Sequence, residues 1–195
     1  MTLLIPAFSN IGKATSLGMA GNQVVNLLNL ARANSTSKNA MTAVVVLSNA
    51  TSDNHLRVLT VMELTPSADG SPLSSTNWKQ VAKWEELRPG VVISPDYAFK
   101  GTGTNESGDP DTATNKLSPP LPSDFTYQNK SVNLSLCPSL VFLPNGSLFS
   151  GTTTPIRLME GFFPRGSTTP TYTHTNNYFH VTVIPATGRT KVDRP

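Results

Sequence analysis

The spacing of apolar residues changes near residue 40, and this change constrains the fold more than any other feature. No proline occurs between residues 7 and 39, and small or apolar residues recur three and four apart at Leu17, Ala20, Val24, Leu27 and Ala31. This spacing forms one stripe along an α-helix, which the polar residues 34–39 would end. We interpret the stripe as the face that packs on the helix's own domain. The alternative is that the stripe binds in a groove of a partner protein.

After Ala40 the pattern is typical of β-strands, with apolar and β-branched runs at 41–47, 55–64, 79–87, 91–93, 140–149, 156–162, 179–184 and 189–192. In the run 79–87, Val81 and Trp84 are the expected apolar anchors. Turn residues at 48–54 and Asn145-Gly146 predict hairpins. The stretch 94–136 has no regular pattern and is predicted to be a long loop.

One long helix followed by about seven short strands is an α+β arrangement. We therefore expect a long N-terminal α-helix at 1–39, packed on an antiparallel sheet or β-sandwich domain at 40–195. Charged residues make up only 14% of the 195, which suits an exported β-rich protein better than a cytosolic helical enzyme. The net charge of +3 is too small to predict nucleic-acid binding by itself.

Candidates for catalysis are few, and we expect no catalytic residue and no cofactor. The sequence has no nucleophile elbow, no phosphate-binding loop and no paired-cysteine motif. The single cysteine, Cys137, could pair with His174 or His180 as a nucleophile, but its apolar surroundings favour a buried small side chain. The two histidines would share a face on an unbroken strand. They lack a third metal ligand, so we interpret them as solvated edge residues.

The one candidate metal site lies in the predicted loop. Asp109 and Asp111 stand near Asn105, Glu106 and Asn115, and such oxygen ligands suit calcium. Their spacing does not fit an EF-hand, and an acidic loop without metal is the interpretation we favour.

Five segments stand out in order along the chain: Leu3–Phe8, Leu30–Ala33 with Met41–Val46, Leu87–Ile93, Val141–Gly146 and Val181–Val192. Together they resemble the type IV pilin-like family, in particular its H-type minor pseudopilins and its FimT-like branch. The segment Val181–Val192, a strand, a Thr-Gly-Arg turn and a basic closing strand, is the most specific match. The family's processing site and long apolar helix are absent, and the segment Leu3–Phe8 is too short to span a membrane. We expect that the sequence is truncated just after that helix.

The resemblance implies a structural protein and not an enzyme. It implies a minor pseudopilin-like subunit of a type II secretion or type IV pilus-like machine, anchored in the bacterial inner membrane by the missing helix. Its partners would be other pilin or pseudopilin subunits in a periplasmic or extracellular filament. In such a subunit, the stripe of Leu17, Ala20, Val24 and Leu27 would pack against the subunit's own sheet. The missing upstream part of the helix would face neighbouring subunits.

Two alternatives stay open. In the FimT-like branch a basic C-terminal tail is associated with DNA binding, which here would involve Arg189 and Lys191, with Arg165 and Arg194 adding charge. The second alternative is an exported β-sandwich that binds carbohydrate or protein through the aromatic residues Trp78, Trp84, Tyr97, Tyr172 and Tyr178.

Overall fold

The computed structural model describes residues 5–48, 54–65, 77–99 and 121–194, and within its helix the side chains from Ser16 onward. Helix α1 spans Ile5–Lys38, as the apolar spacing predicts. Pro6 stands in the first turn, where a proline removes no intrahelical hydrogen bond. The helix ends at Asn39, which has a positive φ of 50°. The backbone N–H of Ala40 then donates to the carbonyl of Ser35, a common way to close a helix.

Twelve strands follow in the described part of the chain. They are β1 Thr42–Val46, β2 Val58–Leu64, β3 Trp78–Gln80, β4 Glu85–Glu86, β5 Val91–Ala98, β6 Phe125–Tyr127, β7 Lys130–Val132, β8 Ser139–Phe142, β9 Thr154–Phe162, β10 Thr171–Tyr172, β11 Tyr178–Val183 and β12 Thr190–Asp193. A short 3-10 helix, Leu134–Leu136, precedes β8.

Ten of these strands form two five-stranded antiparallel sheets. The N-terminal sheet has the order β3-β2-β1-β8, with β4 also paired to β2. The C-terminal sheet has the order β10-β9-β11-β12, with β5 also paired to β9. Strands β6 and β7 form a separate hairpin.

Helix α1 packs against the inner faces of both sheets. Leu17, Ala20 and Val24 are 0% exposed, and Leu27 is 2% exposed. They share one hydrophobic core with side chains such as Phe142 from the N-terminal sheet and Leu158 from the C-terminal sheet. The stripe is therefore buried inside this chain, which agrees with the interpretation that it packs on its own domain.

The outer face of the N-terminal sheet carries a second core. Alternate residues of β1 and β2, among them Val45 and Met62, pack there with Tyr127, Val132 and Leu134 from the β6–β7 hairpin and the 3-10 helix. Every residue of β1 is buried for this reason.

The predicted long loop at 94–136, which could still contain a short helix or an edge strand, has regular structure at both of its described ends. Strand β5 continues through Pro95 to Ala98, with an irregular register between Ile93 and Ala98 where the proline can be accommodated. The β6–β7 hairpin and the 3-10 helix occupy most of 125–136. Their segments of three residues are too short for a periodic pattern. The middle of the stretch lies outside the described residues.

The predicted strand at 79–87 is also corrected. It is divided into β3 and β4, both paired with β2. Val81, expected as an anchor, lies between them and is 37% exposed. Its backbone N–H donates to the Val61 carbonyl. Among the described residues no helix combines the length and hydropathy needed to cross a membrane.

Candidate interaction surfaces

The residues weighed for catalysis do not assemble a reactive site. Cys137 is buried, and its Sγ accepts a hydrogen bond from the Ser48 backbone N–H at 3.3 Å. Burial raises the pKa of this thiol to about 11, so it stays protonated and unreactive near neutral pH. His174 is exposed in the connection between β10 and β11, whereas His180 lies within β11. The unbroken strand that would align the two histidines is therefore not formed.

The candidate calcium site of the sequence lies outside the residues that the structure describes. Within residues 5–48, 54–65, 77–99 and 121–194, no three His, Cys, Asp or Glu side chains come close enough to hold an ion. Asp109 and Asp111 lie outside these ranges, so the favoured acidic loop without metal and the calcium alternative both stay untested.

The outer face of α1 is apolar at two positions although it faces solvent. Met19 is 50% exposed and Leu30 is 41% exposed. They line a groove of about 360 Å³ that also contains Asn22, Gln23, Asn26, Leu27 and Glu85. Gln23 Nε2 donates to Glu85 Oε2 at 3.1 Å, which ties the helix to strand β4 across one side of the groove. The helix thus has one side inside the core and a second, uncovered side on which two apolar residues stand among amide side chains.

The basic residues of the C-terminal turn sit on a rigid support. Arg32 Nε, on α1, donates to the Thr187 carbonyl at 2.7 Å. Gly188 has a φ of +61°, and a Cβ there would overlap the carbonyl oxygen of Gly146. The turn is therefore held closely between α1 and the β8 turn, and it presents Arg189 to solvent.

The four cations suggested for DNA have different surroundings. Lys191 Nζ is 3.2 Å from Asp193 Oδ1, so a carboxylate offsets its charge. The guanidinium of Arg194 lies over the Phe179 ring at 5.2 Å. Arg165 is exposed in the turn after β9.

The aromatic residues weighed for binding divide into two groups. Trp78 is buried in the second core, and Trp84 packs edge-on against Phe125 and Tyr127. These two tryptophans serve the fold. Tyr172 O–H donates to Ser94 Oγ at 3.2 Å near the edge of the C-terminal sheet. Tyr97 and Tyr178 instead meet on the outer face of that sheet.

Arg157, in the central strand β9, joins these two tyrosines. Its Cζ lies 3.7 Å from the ring centroid of Tyr97 and 4.5 Å from that of Tyr178. Its Nε donates to Nδ1 of His180 at 3.3 Å, directly across the strand register. Burial, and then the positive charge of Arg157, lower the pKa of His180, which keeps the imidazole in the neutral form that can accept this hydrogen bond.

Sequence reasoning singled out Tyr97, Tyr178 and His180 but missed Arg157. The signal that could have found it is the alternation Ile156-Arg157-Leu158. A charged residue between two buried ones on a strand must face away from the core. Which aromatic side chains it meets there depends on strand pairing.

Neither a protein-family model nor a curated protein matches the sequence. Among solved structures, the chain is similar to the type IV minor pilin FimU of Pseudomonas aeruginosa, at 14% identity and a TM-score of 0.50, over 93% of each chain. A likeness to the minor pseudopilin EpsH of the Vibrio cholerae type 2 secretion system has 14% identity and a TM-score of 0.49, over 92% of this chain and 98% of that one. The chain therefore has a pilin-like α+β fold, a long helix packed on antiparallel sheets like that of FimU, and the fold that the resemblance implied is confirmed.

Proposed function

We propose that this protein is a structural, minor-pilin-like subunit that assembles with other pilin-like subunits through the outer face of α1, and that it is not an enzyme. Support comes from the fold and from the absence of charged residues in the middle of the helix. From Ala14 to Ala31 the sequence contains no Asp, Glu, Lys or Arg. A helix whose outer face remains in water normally carries charged residues there.

The observation that carries the proposal is the pair of exposed side chains Met19 and Leu30. Both lie in the part of the helix, Ala14 to Ala31, that has no charged residue. The exposed positions beside them, Asn22, Asn26 and Asn29, have short amides that can donate and accept hydrogen bonds in an interface. Burying the uncovered part of two such apolar side chains contributes on the order of 1 kcal/mol each. A second helix in the groove would bury both side chains at once.

Three further parts of the proposal rest on the sequence resemblance. They are attachment to the bacterial inner membrane, location of the β-rich part in the periplasm or on a filament, and service in a type II secretion or type IV pilus-like machine. The DNA-binding alternative has less support, because Asp193 offsets the charge of Lys191 beside Arg189.

The test is Leu30→Glu, introduced into the chromosomal gene of the host. Leu30 is 41% exposed, so the variant should keep its melting temperature, whereas a buried carboxylate should prevent assembly. The measurement is the amount of each variant that is recovered in the filament or membrane fraction and can be cross-linked there to other pilin-like subunits. Thr169→Glu, at an exposed position of the loop before β10, is the matched control and should assemble normally. Normal assembly of both Leu30→Glu and Met19→Glu would contradict the proposal.

A further inference from the structure

The outer face of the C-terminal sheet presents a cation that forms no direct ion pair with a carboxylate of the described residues. Arg157 takes part in none of the ion pairs Lys38–Glu63, Arg57–Glu86 and Lys191–Asp193. It is only partly exposed and stands in the middle of the sheet, with β5 and β11 paired to β9. A partly desolvated guanidinium without a counter-charge gains free energy when an anion binds to it.

The donors of Arg157 are already oriented. Tyr97 and Tyr178 lie against the guanidinium, and His180 accepts from Nε. The two terminal nitrogens, Nη1 and Nη2, remain for a ligand. They form the planar fork that matches the two oxygens of a carboxylate. Because the rings and the imidazole restrict the side chain, little conformational entropy is lost on binding.

The same contacts exclude other classes of ligand. Arg157 covers a face of the Tyr97 ring at 3.7 Å and also lies against Tyr178, so these faces are not available to stack on a sugar or a nucleic-acid base. Asp96 is exposed on β5 next to Tyr97, and its repulsion of a ligand grows with the number of negative charges that the ligand carries. An isolated carboxylate beside uncharged atoms fits best.

We propose that Arg157, with Tyr97, Tyr178 and His180, forms a docking site for another protein subunit that contributes one aspartate or glutamate carboxylate to Nη1 and Nη2. Arginine and tyrosine are the residue types that dominate binding energy at protein interfaces. This surface lies on the sheet and is distinct from the groove on α1. The identity of the partner as a co-assembling subunit rests on the proposed function, whereas carboxylate binding does not.

The direct test uses the purified chain and two small probes that differ in one group. The probes are N-acetyl-glutamate amide and N-acetyl-glutamine amide, and the readout is the NMR resonance of the Arg157 side-chain Nε–H. We expect a saturable shift with the glutamate probe, with a Kd on the order of millimolar, and at least about tenfold weaker binding of the glutamine probe. Equal binding of the two probes would overturn the proposal.

Two variants locate the site. Arg157→Gln should abolish the binding, measured through the backbone amides of β9 and β11, and Arg157→Lys should weaken it by about tenfold or more, because an ammonium lacks the planar fork. Arg165→Gln makes the same charge change at an exposed turn and should leave the Kd unchanged. Equal weakening by Arg165→Gln would show general attraction to a basic protein and contradict a site. Binding of glucuronate or a dinucleotide more than about tenfold tighter than the glutamate probe would show that the partner class is wrong.

A test in the host separates this inference from the proposed function. Arg157→Glu should reduce cross-linking of the chain to its partner subunits, and Arg165→Glu should not. If the glutamate probe fails to bind while Leu30→Glu still prevents assembly, the docking site is refuted and the function stands. If the probe binds as expected but both helix variants assemble normally, the assembly proposal fails alone.

Discussion

Strands β1 and β2 of the N-terminal sheet and strand β11 of the C-terminal sheet have similar inner faces and different outer faces. In the N-terminal sheet all of β1 and all but one residue of β2 are buried, because the β6–β7 hairpin and the 3-10 helix cover the outer face. In the C-terminal sheet β11 alternates: Phe179, Val181 and Val183 are buried toward α1, while the residues between them are only partly buried.

The covered outer face contributes to stability, whereas the open outer face is available to bind other molecules. A sheet with both faces in apolar cores supplies hydrophobic stabilisation twice, and its side chains are not accessible to a partner. The outer face along β11, where every second residue is only partly buried, keeps a row of side chains for contacts with other molecules. Arg157, on the neighbouring strand β9, contacts Tyr178 and His180 of that row. Substitutions that act on one outer face only are therefore the way to test the contrast.

The largest effect is expected in the segment that covers the N-terminal sheet. Leu134→Ala removes a side chain that is 0% exposed in the second core, and we expect a loss of about 3 to 4 kcal/mol in the free energy of unfolding. Thr182→Ala, on the outer face of β11, should change it by less than about 0.5 kcal/mol. Urea denaturation of both variants measures the difference. Equal and small losses would mean that the second core contributes little to stability.

A pH-dependent effect is expected where the two sheets meet. His55, just before β2, is 4% exposed and its ring meets the edge of Phe163, which follows β9, at 4.6 Å. Burial lowers its pKa to about 4 from the usual 6.5. The unfolded chain then takes up a proton at higher pH than the folded chain. Stability that is complete above pH 6.5 should therefore be lost as the pH falls toward 4, by up to about 3 kcal/mol.

The measurement for His55 is the difference in unfolding free energy between wild type and His55→Gln at pH 7.5, 5.5 and 4.5. That difference should shrink as the pH falls, since glutamine does not titrate. His174→Gln, at an exposed position, should retain the wild-type pH dependence. A difference that is independent of pH would show that His55 is accessible to protons in the folded chain.

The smallest effect tests whether the inner face of the C-terminal sheet is as closely packed as that of the N-terminal sheet. A Cβ at Gly21 would fall on the ring of Phe179, whereas a Cβ at Gly18 would meet only the flexible end of Arg194 at 3.3 Å. Gly21→Ala should destabilise the protein by about 1 to 2 kcal/mol through overpacking. Gly18→Ala should be neutral or stabilise it by up to about 1 kcal/mol, because alanine favours the helix. Thermal denaturation of this matched pair decides, and equal melting temperatures would argue against close contact.

The parts of the fold that followed from the sequence are those with strong local patterns. The stripe from Leu17 to Leu27 predicted both the helix and its buried face, and the apolar run before Ser48 predicted β1. Prediction failed where short segments gain order from packing, as in the β6–β7 hairpin, and where Pro95 suggested the end of a strand that continues across an irregular register. In the candidate docking site, the sequence analysis singled out Tyr97, Tyr178 and His180 but not Arg157, which contacts all three.

By itself, then, the sequence determined the long helix with its buried stripe, the change to β-structure near residue 40 and the alternation in β11, because helix and strand periods are local properties of the chain. Only the tertiary structure decided which strands are covered on both faces. It also brought Arg157 between Tyr97 and Tyr178, since these residues lie on separate strands and meet through the pairing of β5, β9 and β11. Contacts between residues distant in sequence are set by how the strands pair and what covers them, and no single segment encodes that.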